Sequence, residues 1–214
     1  MKNIQSIINT STLRFLSGAF TIAVMAFLSG CGEDPKRENT PELITKVTLT
    51  FTPTGGGSAI VVTATDPDGL GINDIVADGE IDLAANTAYT LTLALINELA
   101  EPSQPEYDIT AEVEEEGVDH MFFFSWTGNV FSDPTGNGNI DARADDVNYT
   151  GGTNSIDANA LPLGLTTAWM ASASTSSGSE FRVLLKHQPD LKSDTSNSDT
   201  GETDLDVTFT INII

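Results

Sequence analysis

Two histidines carry the most specific chemistry in this chain. His120 and His187 are the only two imidazoles among 214 residues, and both stand in polar, acidic surroundings. The acidic neighbours of His120 that are candidate ligands are Glu114, Glu116 and Asp119. Imidazole nitrogen together with one or two carboxylates is a usual ligand set for Zn²⁺ and similar ions. The residue types therefore suggest a zinc-like site formed by these five side chains.

A shared site requires the two histidines to meet in the fold. His120 leads into an apolar run at 121–124, and His187 ends another apolar run at 181–185. Both therefore lie at predicted strand ends, where side chains from different loops can converge. The alternative is two exposed histidines at unrelated ends of the domain. A separation of the two histidines within about 5 Å would allow their nitrogens to bind one ion, because metal–nitrogen bonds are near 2 Å.

Two loops rich in Asp, Asn and Gly offer oxygen ligands for a hard cation such as Ca²⁺. They span residues 66–74 and 133–141. Their candidate ligands are Asp66, Asp68, Asp74, Asp133, Asn137 and Asp141. Neither loop has the EF-hand spacing, and turns prefer the same residue types for their own backbone reasons. Calcium is the second metal hypothesis, with plain turn formation as its alternative.

The sequence contains no motif of a known catalytic machinery. The GxSxG and HExxH patterns and a phosphate-binding glycine loop are absent from the chain. Carboxylates are plentiful, so a glycosidase pair stays open, but no spacing argues for one. We therefore expect a protein that is not an enzyme.

The elements that must position these side chains are β-strands. Residues 43–51 place Leu43, Thr45, Val47, Leu49 and Phe51 on one face, which predicts a half-buried strand. Pro53 and three glycines then break the pattern, and residues 58–65 return, so the pair reads as a hairpin. Residues 66–79 are predicted to form a loop.

Alternation continues along the rest of the chain. It predicts a strand at 89–95 and further strands near 107–113, 120–127, 165–174, 179–187 and 203–213. In the last strand the residues predicted to face inward are Leu205, Val207, Phe209, Ile211 and Ile213. Those predicted to face outward are Asp204, Asp206, Thr208, Thr210 and Asn212.

The fold class follows from these strands. Helical periodicity is almost absent, while short β-rich runs alternate with Gly, Asp and Pro loops. This pattern predicts an all-β protein, a single Ig-like or Greek-key antiparallel β-sandwich of about eight or nine strands. The aromatic run at 122–126 and Trp169 could line a ligand groove, but alternating large residues favour core packing.

The N-terminus has the features of a lipoprotein signal. Lys2 and Arg14 precede an apolar stretch at 15–28, which is shorter than the roughly 20 residues of a transmembrane helix. The stretch ends in Leu28-Ser29-Gly30-Cys31, which resembles the lipobox of bacterial lipoproteins at all four positions. Cys31 is also the only cysteine in the chain, and lipidation accounts for it. We therefore expect cleavage before Cys31 and a lipid anchor on its thiol.

The predicted domain organisation has three parts. Residues 1–30 form the signal peptide, 31–42 the lipidated cysteine with a flexible tether, and 43–214 the β-sandwich domain. The acidic pair Glu33-Asp34 resembles the surface-export tags of lipoproteins from the Bacteroidetes group. The predicted location is therefore the outer membrane, on its periplasmic or its cell-exterior face.

Charge limits the partners. Without residues 1–30, which hold two basic and no acidic residues, 7 basic and 31 acidic side chains remain, a net charge of −24. Such a charge argues against nucleic acid and against anionic headgroups as partners. It is compatible with cation binding and with a merely soluble surface.

Several segments together resemble a family of small flavobacterial lipoproteins. The segments are Asn97-Glu98-Leu99, ITAEVEEEGVDHMFFF (109–124), LPLGL (161–165), LLKHQP (184–189) and GETDLDVTFTINI (201–213). Members are commonly labelled "type 1 periplasmic binding fold superfamily protein" and have no settled activity. The label implies solute capture by two α/β lobes, whereas the residues predict a β-sandwich.

Two functional hypotheses follow. The first is a lipid-anchored extracytoplasmic binding module of unknown ligand, capturing a solute or a metal ion for an outer-membrane transporter. The second is a structural or adhesive cell-surface domain without a small ligand. Substitution of either histidine distinguishes them, since only the first hypothesis needs the imidazoles.

Overall fold

A computed structural model gives the fold and describes residues 42–69, 74–134, 147–149 and 154–214. These residues belong to one compact unit of the chain, Glu38–Ile214. The predicted signal peptide, Cys31, and the calcium candidates Asn137 and Asp141 lie outside the described residues. No helix within the described ranges is long and apolar enough to span a membrane.

Ten strands form the described part of the domain. In chain order they are β1 (Lys46–Pro53), β2 (Ile60–Thr65), β3 (Val76–Ala77), β4 (Ile81–Leu83), β5 (Ala88–Ile96), β6 (His120–Trp126), β7 (Phe131–Asp133), β8 (Thr166–Ala171), β9 (Ser176–His187) and β10 (Glu202–Ile213). A 3₁₀ turn at Pro105–Tyr107 and one α-helix, α1 (Ile109–Glu115), connect β5 to β6.

The strands form two sheets that pack as a sandwich, which confirms the predicted all-β class. The larger sheet has the order β3-β2-β1-β5-β8-β7, and the smaller has the order β4-β10-β9-β6. The predicted hairpin is confirmed as the antiparallel pair β1–β2. Neighbouring strands are antiparallel except β4 and β10, which run parallel. The strands β3, β4 and β7 escaped prediction because two or three residues are too few to show a period.

The core lies between the sheets and contains the aromatic run. Phe124, Trp126, Trp169 and Phe181 are at most 5% exposed. Trp169 meets Trp126 and Phe181 edge to face, with ring centroids 5.4 and 5.3 Å apart, and Phe124 stacks on Phe181 at 5.9 Å. Each such burial contributes on the order of 2–3 kcal/mol. The core-packing interpretation of these aromatics is therefore confirmed.

The strand predicted at 107–113 is wrong, because this segment is a helix. Ile109 and Val113 alternate as in a strand, but they also lie four residues apart and are buried together on one face of α1. The Asp108 side chain accepts the N–H of Ala111 at 3.2 Å and caps the first turn. This cap and the i, i+4 pair favour the helix over the strand.

The last strand has the predicted inward face, with two exceptions on the outward face. Asp206 and Thr208 are exposed as predicted. Asp204, however, has a side chain with no exposed surface, and Asn212 is 9% exposed. Both lie at register shifts in the pairing of β10 with β9. The outward prediction for these two residues is wrong because it assumed an unbroken ladder.

Candidate metal centre

The two histidines lie side by side at one end of the sandwich. His120 begins β6 and His187 ends β9, and these residues are direct partners in the antiparallel register. Their rings are stacked, with centroids 4.6 Å apart and planes 4° from parallel. They are 0% and 4% exposed. The alternative of two exposed histidines at unrelated ends is therefore wrong.

The strand period explains why the rings point into the protein. His120 has the same parity along β6 as Phe122 and Phe124, whose side chains face the core. His187 is the register partner of His120, as Leu185 is of Phe122, so it lies on the same face of the sheet. The two imidazoles therefore occupy the last inward-facing positions at this end of β6 and β9.

Helix α1 contributes the third member of the cluster. Glu116 is the C-cap residue of α1 and precedes His120 by one tight turn. Ligand atoms of Glu116, His120 and His187 all lie within 4.8 Å of one another. Two imidazoles and one carboxylate are the protein ligands of several zinc sites. This group contains three of the five residues that the sequence suggested.

A backbone contact sets the tautomer of His120. Its Nδ1 lies 3.1 Å from the carbonyl oxygen of Glu116. A carbonyl can only accept, so Nδ1 carries the proton and Nε2 keeps its lone pair. Nε2 is buried and has no hydrogen-bond partner. A backbone carbonyl in this role is the usual arrangement behind a metal-binding histidine.

Asp204 reaches the same place from β10. The bulge between Thr203 and Leu205 leaves Asp204 as an extra residue opposite β9 and turns its side chain inward. Its Oδ1 accepts the backbone N–H of Glu42 at 3.2 Å. Its Oδ2 lies 3.7 Å from Nε2 of His120 and has no hydrogen-bond partner.

Glu42 adds a second buried carboxylate. It was predicted as the last residue of the tether, but it is only 6% exposed and belongs to the folded domain. Burial raises the pKa of its carboxyl to about 8, and the nearby acids Glu112, Asp204 and Glu116 add to this shift. Its Oε2 is buried without a hydrogen-bond partner.

Burial is also the main cause of the pKa shifts of Asp204 and His120. Burial raises the pKa of Asp204 to about 7, with the acids Glu202 and Glu112 adding to the shift, and the Glu42 N–H and Lys186 opposing it. Burial lowers the pKa of His120 to about 4, against the bond to the Glu116 carbonyl. Burial thus disfavours the charged forms of Glu42, Asp204 and His120.

The other residues suggested from the sequence lie elsewhere. Glu114 is exposed on α1. Asp119 uses its backbone carbonyl to accept the N–H of Gln188 at 2.6 Å. Neither residue belongs to the cluster around the histidines, although both are neighbours of His120 in sequence. Position along α1 and the following turn, rather than proximity in sequence, decides which acid faces the imidazoles.

In the first candidate calcium loop, a carboxylate oxygen accepts hydrogen bonds from the backbone. Oδ1 of Asp66 accepts the backbone N–H groups of Asp68 and Gly69, at 3.2 and 3.0 Å. This bonding is the turn-forming role of Asp. Asp74 and Asp133 are exposed. Calcium binding by these loops stays a prediction.

Asp204 and Glu42 are the functional candidates that the sequence did not reveal. Asp204 interrupts no motif, and strict alternation places it outward. Glu42 adjoins a polar segment that has the composition of a tether. The strand-initial bulge has no reliable sequence signal, so only the structure assigns these two residues to the site.

No family model, no curated protein and no solved structure matches this chain. The resemblance to flavobacterial lipoproteins therefore stays a prediction. What the chain does must be argued from the geometry of its own residues.

Proposed function

We propose that this chain is a lipid-anchored extracytoplasmic module that binds one divalent transition-metal ion at Glu116, His120 and His187. The observation that carries the proposal is the stacked histidine pair with ligand atoms of all three residues within 4.8 Å of one another. The buried Nε2 of His120 has no hydrogen-bond partner, and such an atom is costly unless something binds it.

The donor types favour a borderline metal ion. Imidazole and carboxylate suit Zn²⁺, Co²⁺ and similar divalent ions, whereas Ca²⁺ prefers six to eight oxygen ligands. Proteins usually bind such ions through neutral histidines. Burial favours the neutral form of His120 by lowering its pKa, so the ring can bind a metal at neutral pH.

The proposed setting is the outer membrane. Cys31 and its lipobox supply the anchor, and a metal-binding domain held there could pass its ion to an outer-membrane transporter. The resemblance to lipoproteins labelled as periplasmic binding proteins supports capture rather than catalysis. Labelling with a radioactive fatty acid tests the anchor: wild type should incorporate it, and Cys31→Ala should not.

Calorimetry tests the metal site. Tag-free protein lacking residues 1–31 retains the whole core, which lies within 44–213, and should bind one Zn²⁺ per chain at pH 7. His120→Ala and His187→Ala should each weaken binding by about tenfold or more, because each removes one side chain that binds the ion directly.

A matched pair of glutamates provides the control. Glu116→Gln should weaken zinc binding, whereas Glu114→Gln, on the exposed side of the same helix, should not. Absence of binding heat in the wild type would contradict the metal proposal and favour the structural or adhesive alternative. That alternative predicts indifference to both histidine substitutions.

A further inference from the structure

We propose that Asp204 is a direct ligand of the same metal ion, so that the site joins the two sheet strands β9 and β6 to the start of β10. This assignment rests on the metal-binding function proposed above. It adds a residue that lies outside the sequence neighbourhood of both histidines and that strict strand alternation places on the opposite face.

The distance between Asp204 and His120 suits a shared ion. Oδ2 of Asp204 and Nε2 of His120 are 3.7 Å apart, which is too long for a hydrogen bond. Two ligands that each bind a tetrahedral metal ion at about 2.1 Å lie roughly 3.4 Å apart. A small adjustment would therefore let these two atoms bind one ion. Asp204 lies outside the group whose ligand atoms are all within 4.8 Å of one another, so its carboxylate must also move towards Glu116 and His187 when the ion binds.

Both atoms are also held in place from behind. The backbone N–H of Glu42 fixes Oδ1 of Asp204, which leaves Oδ2 directed at the imidazole. The carbonyl of Glu116 fixes the Nδ1 side of His120. Outer hydrogen bonds of this kind orient metal ligands and fix the tautomer. The side chain of His120 and that of Asp204 have no exposed surface.

The bulge shows how the fold delivers Asp204. Thr203 pairs with Lys186 and Leu205 with Leu185, so Asp204 has no partner residue across the ladder. Bulges redirect side chains and are common beside functional sites. The neighbouring Asp206 keeps the regular register, points outward, and pairs with Arg182 at 2.6 Å.

Among the described residues near the site, acidic side chains outnumber the lysines. The acids facing Asp204 or Glu42 are Glu42, Glu112, Glu116, Asp204 and Glu202. Of the nearby cations, Lys186 donates to the Thr203 hydroxyl at 2.9 Å, and Lys192 is paired with Asp157 at 2.8 Å. A divalent ion would add positive charge beside these acids, where both lysines already have other partners.

The inferred ligand set is two imidazoles with at least two carboxylates. Such a set favours Zn²⁺, Co²⁺ or Mn²⁺ over Cu⁺, which prefers thiolate and thioether ligands. The probes are Zn²⁺ for affinity and Co²⁺ for coordination, because the visible spectrum of Co²⁺ reports its ligands.

The test compares two aspartates of one strand in protein lacking residues 1–31. Asp204→Asn should raise the dissociation constant for Zn²⁺ by about tenfold or more and alter the Co²⁺ spectrum. Asp206→Asn should leave both unchanged within about twofold, because its carboxylate is exposed and faces away.

The outcomes separate this inference from the proposed function. If the wild type binds no metal, the proposed function fails and the inference fails with it. If His187→Ala abolishes binding while Asp204→Asn keeps the affinity and spectrum of the wild type, only the inference is overturned. Loss of binding in Asp204→Asn with an unaltered Co²⁺ spectrum at saturation would also overturn it.

A second variant gives a positive signal and protects the test against misfolding. Without residues 1–31 the chain has no cysteine, so Asp204→Cys introduces the only thiol. If position 204 binds the ion, Co²⁺ loading should produce a thiolate charge-transfer band in the near ultraviolet. Loading of Co²⁺ without this band would contradict the assignment.

Discussion

Two buried aspartates in this domain have opposite surroundings. Asp157 has a side chain with no exposed surface, and it forms an ion pair with the equally buried Lys192 at 2.8 Å. Asp204 is buried to the same extent, yet an imidazole lies 3.7 Å away, and the charged groups around it are the acids Glu112 and Glu202 with one lysine, Lys186. Equal burial with unequal neutralisation distinguishes a structural charge from one suited to binding a cation.

Both members of the Asp157 pair make further hydrogen bonds. Oδ1 of Asp157 accepts the N–H groups of Asn159 and Leu161 at 2.8 and 2.9 Å. The Lys192 ammonium also donates to the carbonyls of Gly117 and His120, at 2.7 and 2.6 Å. Lys192 thus ties the loop between β9 and β10 to the turn before the first histidine. This pair supports the site without belonging to it.

Removing the lysine that pairs with Asp157 should have the largest effect on stability. Lys192→Met leaves the Asp157 carboxylate buried without its cation, which we expect to cost about 3–5 kcal/mol in the free energy of unfolding. Urea denaturation of the protein lacking residues 1–31 measures this. The double variant Lys192→Met/Asp157→Asn should recover part of the loss. A loss below about 1 kcal/mol in the single variant would show that the pair is not structural.

Replacing the buried acids Asp204 and Glu42 should have the opposite sign in metal-free protein. At pH 9, where both carboxyls are ionised, Asp204→Asn and Glu42→Gln each remove a charge that burial disfavours, so we expect each to raise stability by about 1–2 kcal/mol in EDTA. Thermal melts measure the difference. Asp157→Asn, in which Lys192 loses its partner, should lower the melting temperature under the same conditions. A similar decrease in Asp204→Asn would erase the distinction between the two aspartates.

The raised pKa values predict how pH changes the stability of the metal-free protein. In the folded state the pKa of Glu42 is about 8 and that of Asp204 about 7, each above its ordinary value near 4. The folded state therefore keeps protons that the unfolded state has lost. Stability is favoured at low pH and falls as the pH rises through these folded values.

Between pH 7 and 9 the fall should be on the order of 1–2 kcal/mol. His120 has the opposite effect only below its ordinary pKa of 6.5, because its folded pKa is near 4. The pH range from 7 to 9 therefore isolates the carboxylates. Melting temperatures in EDTA test this, with Glu42→Gln/Asp204→Asn as the variant in which the slope should disappear. An equal slope in that variant would assign the effect to other groups.

The smallest effect belongs to the surface aspartate of the same strand. Asp206 binds Arg182 through two contacts of 2.6 Å, but both side chains are more than one third exposed. Asp206→Asn should change stability by less than about 1 kcal/mol, since solvent screens exposed pairs. A larger loss, seen by urea denaturation, would mean that exposure is a poor guide to the role of an aspartate here.

The sequence predicts the sandwich and the histidines better than it predicts the acids. Period-two patterns place His120 and His187 at strand ends, and their pairing then needs only the β6–β9 register. Asp204 depends on a bulge that a strict period assigns to the wrong face. Glu42 follows a polar segment, so composition alone placed it in the tether.

The helix at 109–115 illustrates the same limit. Ile109 and Val113 fit a strand and a helix equally well, and the Asp108 cap decides between them. With that segment helical, Glu116 reaches the imidazoles and Glu114 points away. Which carboxylates face the histidines is therefore a consequence of tertiary structure, and a ligand list from sequence neighbours is only partly correct.

X-ray absorption at the zinc edge tests the central claim most directly. Because His120 and His187 are the only two histidines in the chain, imidazole scattering from bound zinc in tag-free protein must come from them. We predict one zinc per chain, with two imidazole ligands and oxygen ligands near 2.0 Å, and one imidazole fewer in His187→Ala. Zinc lost on dialysis, or bound with no imidazole scattering, would contradict the account.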